Sequence, residues 1–222
     1  MRIISFRHLS WALVSFAIVA GLPPAAPASV ILVQNLDQSH GNPVSDVSVN
    51  ATVWEGSAFT TGSSAVSLFS IAINYDSLAA GFLPVASLYA ADLSGNITGS
   101  PLVSLTMATD SVSLATFTPA SGLTLDPDTT YWFVLQGGDS NALDWSWTGS
   151  SSFSGTGSIP NNPAIATNTN AAGWQYGAIS VGPNLFQVNV TAVPESAAAP
   201  VAVALGAILF TLGYRRRKLS RV

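Results

Sequence analysis

Between residues 29 and 192 the chain is a series of short runs in which apolar and polar residues alternate, separated by clusters of Gly, Pro, Asn, Asp and Ser. A period of two is the pattern of a strand that buries one face. It predicts strands over residues 30–36, 47–53, 85–90, 112–117, 129–136 and 185–191. Phe69, Ile71, Ile73 and Tyr75 line one face of a further strand, with Ser70, Ala72 and Asn74 on the other. Leu143, Trp145 and Trp147 also alternate, which puts both tryptophans on one face. Residues 92–96 read as a turn, and Trp132, inside the apolar run from Tyr131 to Leu135, reads as core. Residues 148–173, rich in Ser, Gly, Thr, Asn and Pro, read as a long surface connection or as edge strands. No helical periodicity and no solenoid or propeller repeat interrupts the series. The predicted fold is all-β: a β-sandwich, jelly-roll-like, in one domain over residues 29–192.

The two ends carry different patterns. Arg2 and Arg7 precede a continuous apolar run over residues 9–21, followed by Pro23, Pro24 and the small-residue stretch Ala26-Pro27-Ala28. This is the layout of a signal peptide over residues 1–28, cut after Ala28. The run is short for a hydrocarbon layer of ~30 Å. At the other end, residues 197–214 are apolar without a charge and are followed by Arg215, Arg216, Arg217 and Lys218. A helix of that length is about 27 Å long, enough for a thin bilayer. The basic cap at residues 215–222 would remain in the cytoplasm. Both ends predict the same topology: export through the translocon, removal of the signal helix by signal peptidase, and a single C-terminal transmembrane helix.

Val193-Pro194-Glu195-Ser196, the apolar helix and the Arg cluster together resemble the tripartite PEP-CTERM sorting signal. The family's commonest motif ends in Pro where this chain has Ser196, so Val193, Pro194 and Glu195 carry the likeness. The resemblance implies an exosortase partner, a bacterium of Gram-negative type that makes exopolysaccharide, and a tail over residues 193–222 that is cut or exchanged. The plainer alternative is a permanent single-pass anchor. The outer domain resembles the choice-of-anchor R family, through residues 85–89, 99–102, 115–119, 123–132 and 185–188 taken in that order. That family implies a surface location and an architecture, and no assigned reaction.

Composition narrows the chemistry. All seven Lys and Arg residues lie in the end segments, whereas ten of the 11 acids lie between residues 29 and 192. A domain without cations cannot neutralise phosphates, which excludes nucleic acid as a partner, and it has no Arg clamp for acidic polymers. There is no Cys, and His40 is the single histidine of the domain, so zinc has no ligand set and a Ser-His-Asp triad has one candidate base in a turn-like segment. Calcium needs only oxygen ligands, which Asp126 and Asp128, or Asp139 with its neighbours, offer; turn chemistry is the competing reading of both clusters. Glu55 is the only glutamate in the domain, and no Asp is singled out to pair with it for glycoside hydrolysis. No catalytic residue and no cofactor is therefore assigned. Trp54, Trp132, Trp145, Trp147, Trp174 and Tyr176 are the remaining inventory, and aromatic faces stack on sugar rings. Trp174 and Tyr176, in a Gly-bounded segment read as a loop, are the expected exposed pair. The chain thus reads as a non-enzymatic exported protein of the cell surface or extracellular matrix, with a carbohydrate-binding module for exopolysaccharide as the alternative.

Overall fold

A computed structural model of the chain describes residues 28–41, 47–80, 82–111, 113–137, 143–169, 173–178 and 182–193. The predicted signal helix, the membrane helix with its basic cap, Pro194, Glu195 and Asp139 lie outside these residues. Among the described residues there is no helix. The strands are β1 (Ser29–Gln34), β2 (Val47–Val49), β3 (Val53–Thr60), β4 (Val66–Leu78), β5 (Val85–Ala91), β6 (Ile97–Ser111), β7 (Leu114–Pro119), β8 (Thr124–Leu125), β9 (Thr130–Gln136), β10 (Leu143–Trp145), β11 (Ser154–Gly155), β12 (Ile165–Thr169), β13 (Trp174–Gly177) and β14 (Phe186–Ala192). They form one antiparallel sheet in the order β11-β1-β14-β4-β7-β6-β5-β9-β3-β12-β13, with β10 and β8 also paired to β4, and β2 to β10.

The sheet curls so that one face encloses a single apolar core. Phe117 of β7 and Phe133 of β9 have ring centroids 5.4 Å apart, although β6 and β5 lie between their strands. Phe133 in turn meets Trp145 of β10 edge-on at 5.6 Å. Leu32, Phe59, Ile71, Ile73, Leu88, Leu135, Phe186 and Val188 complete the same buried cluster. With no Lys or Arg in the domain, this burial and the backbone ladder carry the fold; each fully buried large side chain contributes on the order of 1.5–3 kcal/mol. One segment stitches the curl. Gly155 pairs with Val33 of β1, and Gly157 N–H donates to the Leu32 carbonyl at 2.7 Å. Thr60, at the end of β3, exchanges two backbone bonds of 2.8 and 2.9 Å with Ser158. Gly155 sits at φ 122°, and a Cβ there would lie 2.3 Å from the Leu32 oxygen, so this close approach requires glycine.

Several expectations change at this level. The run 47–53 is not one strand: the Asn50 side-chain oxygen accepts the N–H groups of Thr52 and Val53, a local turn that ends β2 and starts β3. Residues 148–173 contain the short strands β11 and β12. Trp145 and Trp147 part company, the first fully buried in the core, the second outside a named strand in an isolated bridge with Asn184. Trp132 is fully buried, but not in the main core: with Ala58, Val134 and Ala166 it forms a second cluster on the opposite face of the sheet. The Asp144 carboxylate on β10 accepts hydroxyl hydrogen bonds from Ser48 on β2 and Ser77 on β4, tying three neighbouring strands together without a cation.

Candidate functional site

Strand alternation places the site. Along β3, Glu55 and Phe59 turn to the inside of the curl, so Trp54, Gly56 and Ala58 turn out. The neighbouring strands supply Tyr89 from β5, Trp132 and Val134 from β9, Ala166 from β12 and Trp174 from β13 to the same outer face. Register then brings distant residues together. Asn168 of β12 pairs with Trp54 on one side and with Trp174 on the other. Side chains on alternate strands therefore reach each other across it: the Trp54 and Trp174 rings lie 6.4 Å apart, their planes inclined by 55°. Both are half-buried.

The centre of this face is built from a large residue over small ones. Trp132 is fully buried, and its ring lies over Gly56, where a Cβ would come within 3.4 Å of Cε3. Its indole N–H donates to the Gly95 carbonyl at 2.8 Å, which fixes the 92–96 turn at the rim. In that turn the Asp92 carboxylate accepts the N–H groups of Ser94 and Asn96 at 2.8 and 2.9 Å. Tyr176 covers Trp132 in a T-shaped contact at 5.7 Å, and its hydroxyl accepts the Ile97 N–H at 3.1 Å. Burial raises the Tyr176 phenol above its ordinary value, the Ile97 N–H opposes this, and the Asp92 charge adds to the rise. The phenol therefore stays a neutral hydroxyl. At the far side Gln136 donates to the Tyr89 hydroxyl at 3.3 Å.

Trp174 and Tyr176 thus lie on a strand, two residues apart on one face, rather than in a loop. Tyr176 is 36% exposed and is at the same time a cover for Trp132. The partner that sequence reading did not pair with them is Trp54: it sits 120 positions earlier, and only the register through Asn168 joins the two. Val193, the described member of the sorting motif, is exposed just beyond β14.

The other candidates go elsewhere. Glu55 points into the curl, on the opposite side of β3 from Trp54, and is 1% exposed. Its two oxygens accept from Thr167 Oγ1 at 2.8 Å and Asn184 Nδ2 at 3.1 Å. Asn184 is held through its carbonyl by the Asn35 amide, and Asn35 also accepts the Phe186 N–H. This buried polar chain crosses from β12 and β3 to β1 and the start of β14. Burial without a cation pushes the Glu55 carboxyl from 4.5 up to about 7, against the two hydrogen bonds that lower it. The carboxyl is out of reach of a ligand on the aromatic face. Asp126 and Asp128 are committed by their backbones to a turn: Asp126 N–H donates to the Tyr131 hydroxyl, its carbonyl accepts Thr61 Oγ1, and Asp128 N–H donates to the Gly62 carbonyl. His40 Nδ1 lies 3.5 Å from Asp76 Oδ1. Among the described residues no three His, Cys, Asp or Glu side chains gather as a metal site. An aromatic face with neutral amides and hydroxyls beside it can stack on and hydrogen-bond a ligand; the Asp92 carboxylate at its rim is engaged by the Ser94 and Asn96 N–H groups. No protein-family model, no curated protein and no solved structure matches the chain.

Proposed function

We propose that the protein is an exported, non-enzymatic component of the cell surface or extracellular matrix, and that its β-domain holds carbohydrate on the face built by Trp54, Trp174 and Tyr176. In this reading the curled sheet is a jelly-roll-like sandwich of the choice-of-anchor R type, residues 1–28 are a signal peptide, and residues 193–222 are a tail sorted by an exosortase-type system. The observation that carries the binding role is the outward pair of tryptophans, 6.4 Å apart, on a face whose neighbouring side chains are neutral amides and hydroxyls. The export role is supported by the segregation of every Lys and Arg into the two end segments.

Two measurements test the two halves. Calorimetry of the full-length protein against soluble polysaccharides, the host's exopolysaccharide included, is expected to detect binding. Trp54→Ala or Trp174→Ala should weaken it at least about tenfold, equivalent to ~1.4 kcal/mol, with the far-ultraviolet circular dichroism unchanged. Unaltered affinity in either folded variant would remove the aromatic face from the function. For the tail, the intact mass of the mature protein from cells with and without an exosortase is expected to end near residues 193–196 only when the enzyme is present. A mass retaining Arg215 to Val222 in both would establish a permanent anchor instead.

A further inference from the structure

We infer that the glycan taken by this face is an uncharged chain whose successive rings turn relative to one another, as in a helical glucan, and not a polyanion or a flat crystalline ribbon. The inference rests on the carbohydrate-binding reading above and names its ligand class. Two independent observations carry it.

The first is charge. No Lys or Arg occurs between residues 29 and 192, and ten acids do. Among the described residues, the charge that acts on the Tyr176 hydroxyl is Asp92, exposed at the rim of the aromatic face. The domain's one histidine is paired with Asp76. A uronic acid or sulfated polymer laid on this face meets repulsion with no compensating contact. Charges are screened beyond roughly 8 Å at physiological salt and beyond roughly 30 Å at about 0.01 M, so the domain's carboxylates repel a polyanion over the longest range at low salt.

The second is the angle between the rings. A flat ribbon lies on several aromatic faces only when those faces are coplanar. Trp54 and Trp174 are inclined by 55°. The tilt is held in place: Asn168 pairs with both strands, and its side-chain oxygen also accepts the Gly173 N–H at 3.3 Å, which orients the entry to β13. Two successive sugar rings can each stack on one indole only if the chain bends by a similar angle between them. The Gln136 amide and the Tyr89 hydroxyl, bonded to each other at 3.3 Å, are neutral, part-buried groups suited to sugar hydroxyls.

The test compares four probes on the full-length protein: amylose and laminarin, which are neutral and helical; microcrystalline cellulose, neutral and flat; and polygalacturonate, anionic. Amylose or laminarin is expected to bind at least about tenfold more tightly than the other two, with an affinity constant to within about twofold as salt is raised from roughly 0.01 to 0.15 M. Trp174→Ala, on an edge strand, should abolish the preference while the protein stays folded. Equal or tighter binding of cellulose or polygalacturonate would overturn the inference and leave the carbohydrate reading standing. Binding to none of the four would overturn the inference, and with it the carbohydrate reading if the host's exopolysaccharide does not bind either; helical glucans bound unchanged by Trp174→Ala would overturn both.

Discussion

Replacing Glu55 by Gln is expected to remove a large pH dependence of this fold and to stabilise it above neutral pH. The sign follows from where the proton sits. The folded Glu55 carboxyl is pushed from 4.5 to about 7 by burial. Below about pH 4.5 folded and unfolded chains both hold the proton. Between there and pH 7 only the folded chain does, so stability falls as pH rises through that window and levels off above it. A shift of this size is worth on the order of 3 kcal/mol. Gln fits the site: its carbonyl accepts from the Asn184 amide, and its NH₂ donates to Thr167 Oγ1, whose hydroxyl serves as donor or acceptor. Urea denaturation at pH 4 and pH 8 measures it. The variant should lose the wild-type decline and gain about 2–3 kcal/mol at pH 8, roughly 4–12 °C in Tm for a chain of this size. The same decline in both proteins would show that Glu55 is ionised at no cost in the fold.

Glu55 also shows why part of the architecture was hidden in the sequence. Strand β14 was legible because its buried positions Phe186, Val188 and Val190 are apolar and evenly spaced, and β9 because its buried run from Tyr131 to Leu135 is apolar throughout. β3 was not, because Trp54-Glu55-Gly56-Ser57 has a carboxylate and a hydroxyl on its inner face and a glycine on its outer one. The Glu55 carboxylate is placed by tertiary partners 112 and 129 positions away, which no local pattern announces. Ser57 Oγ, fully buried with no hydrogen-bond partner, belongs to the same polar stretch. The 15-residue β6 was hidden for another reason: its pairing with β5 is interrupted over residues 99–102, between Thr98 and Val103, so no continuous alternation marks it before it goes on to pair with β7. Asn50 had the opposite effect, lying inside an apolar alternation that looked continuous and bending the chain by capping its own neighbours.

The candidate site was half legible on the same grounds. Composition gave a domain rich in tryptophan and free of Lys and Arg, and the flanking glycines singled out Trp174 and Tyr176, though as a loop and not as the strand they form. What pairs with them is decided by register. In a strand apolar on both sides, such as β9, the sequence does not say which residues meet the core. Tyr131, Phe133 and Leu135 do, while Trp132 and Val134 meet the aromatic face.

That division gives the second large effect. Trp132→Ala is expected to cost about 3–5 kcal/mol, the range for removing a fully buried large aromatic, although the main core is untouched. Three supports are lost together: the ring over Gly56, the hydrogen bond to the Gly95 carbonyl, and the surface on which Tyr176 rests. The glycan affinity should fall with the stability, because Tyr176 and the 92–96 turn are positioned through Trp132 and not by contact with ligand. Trp174→Ala separates the two consequences. Its side chain is half-buried at the sheet edge, so it should cost no more than about 1–2 kcal/mol on the area argument while removing binding. Guanidinium denaturation of both variants, run beside the binding titration, makes the comparison. A Trp132→Ala variant no less stable than Trp174→Ala would mean that the second cluster is a surface decoration. The larger loss would mean that the outer face is a second packed layer, on which Trp174 and Tyr176 rest.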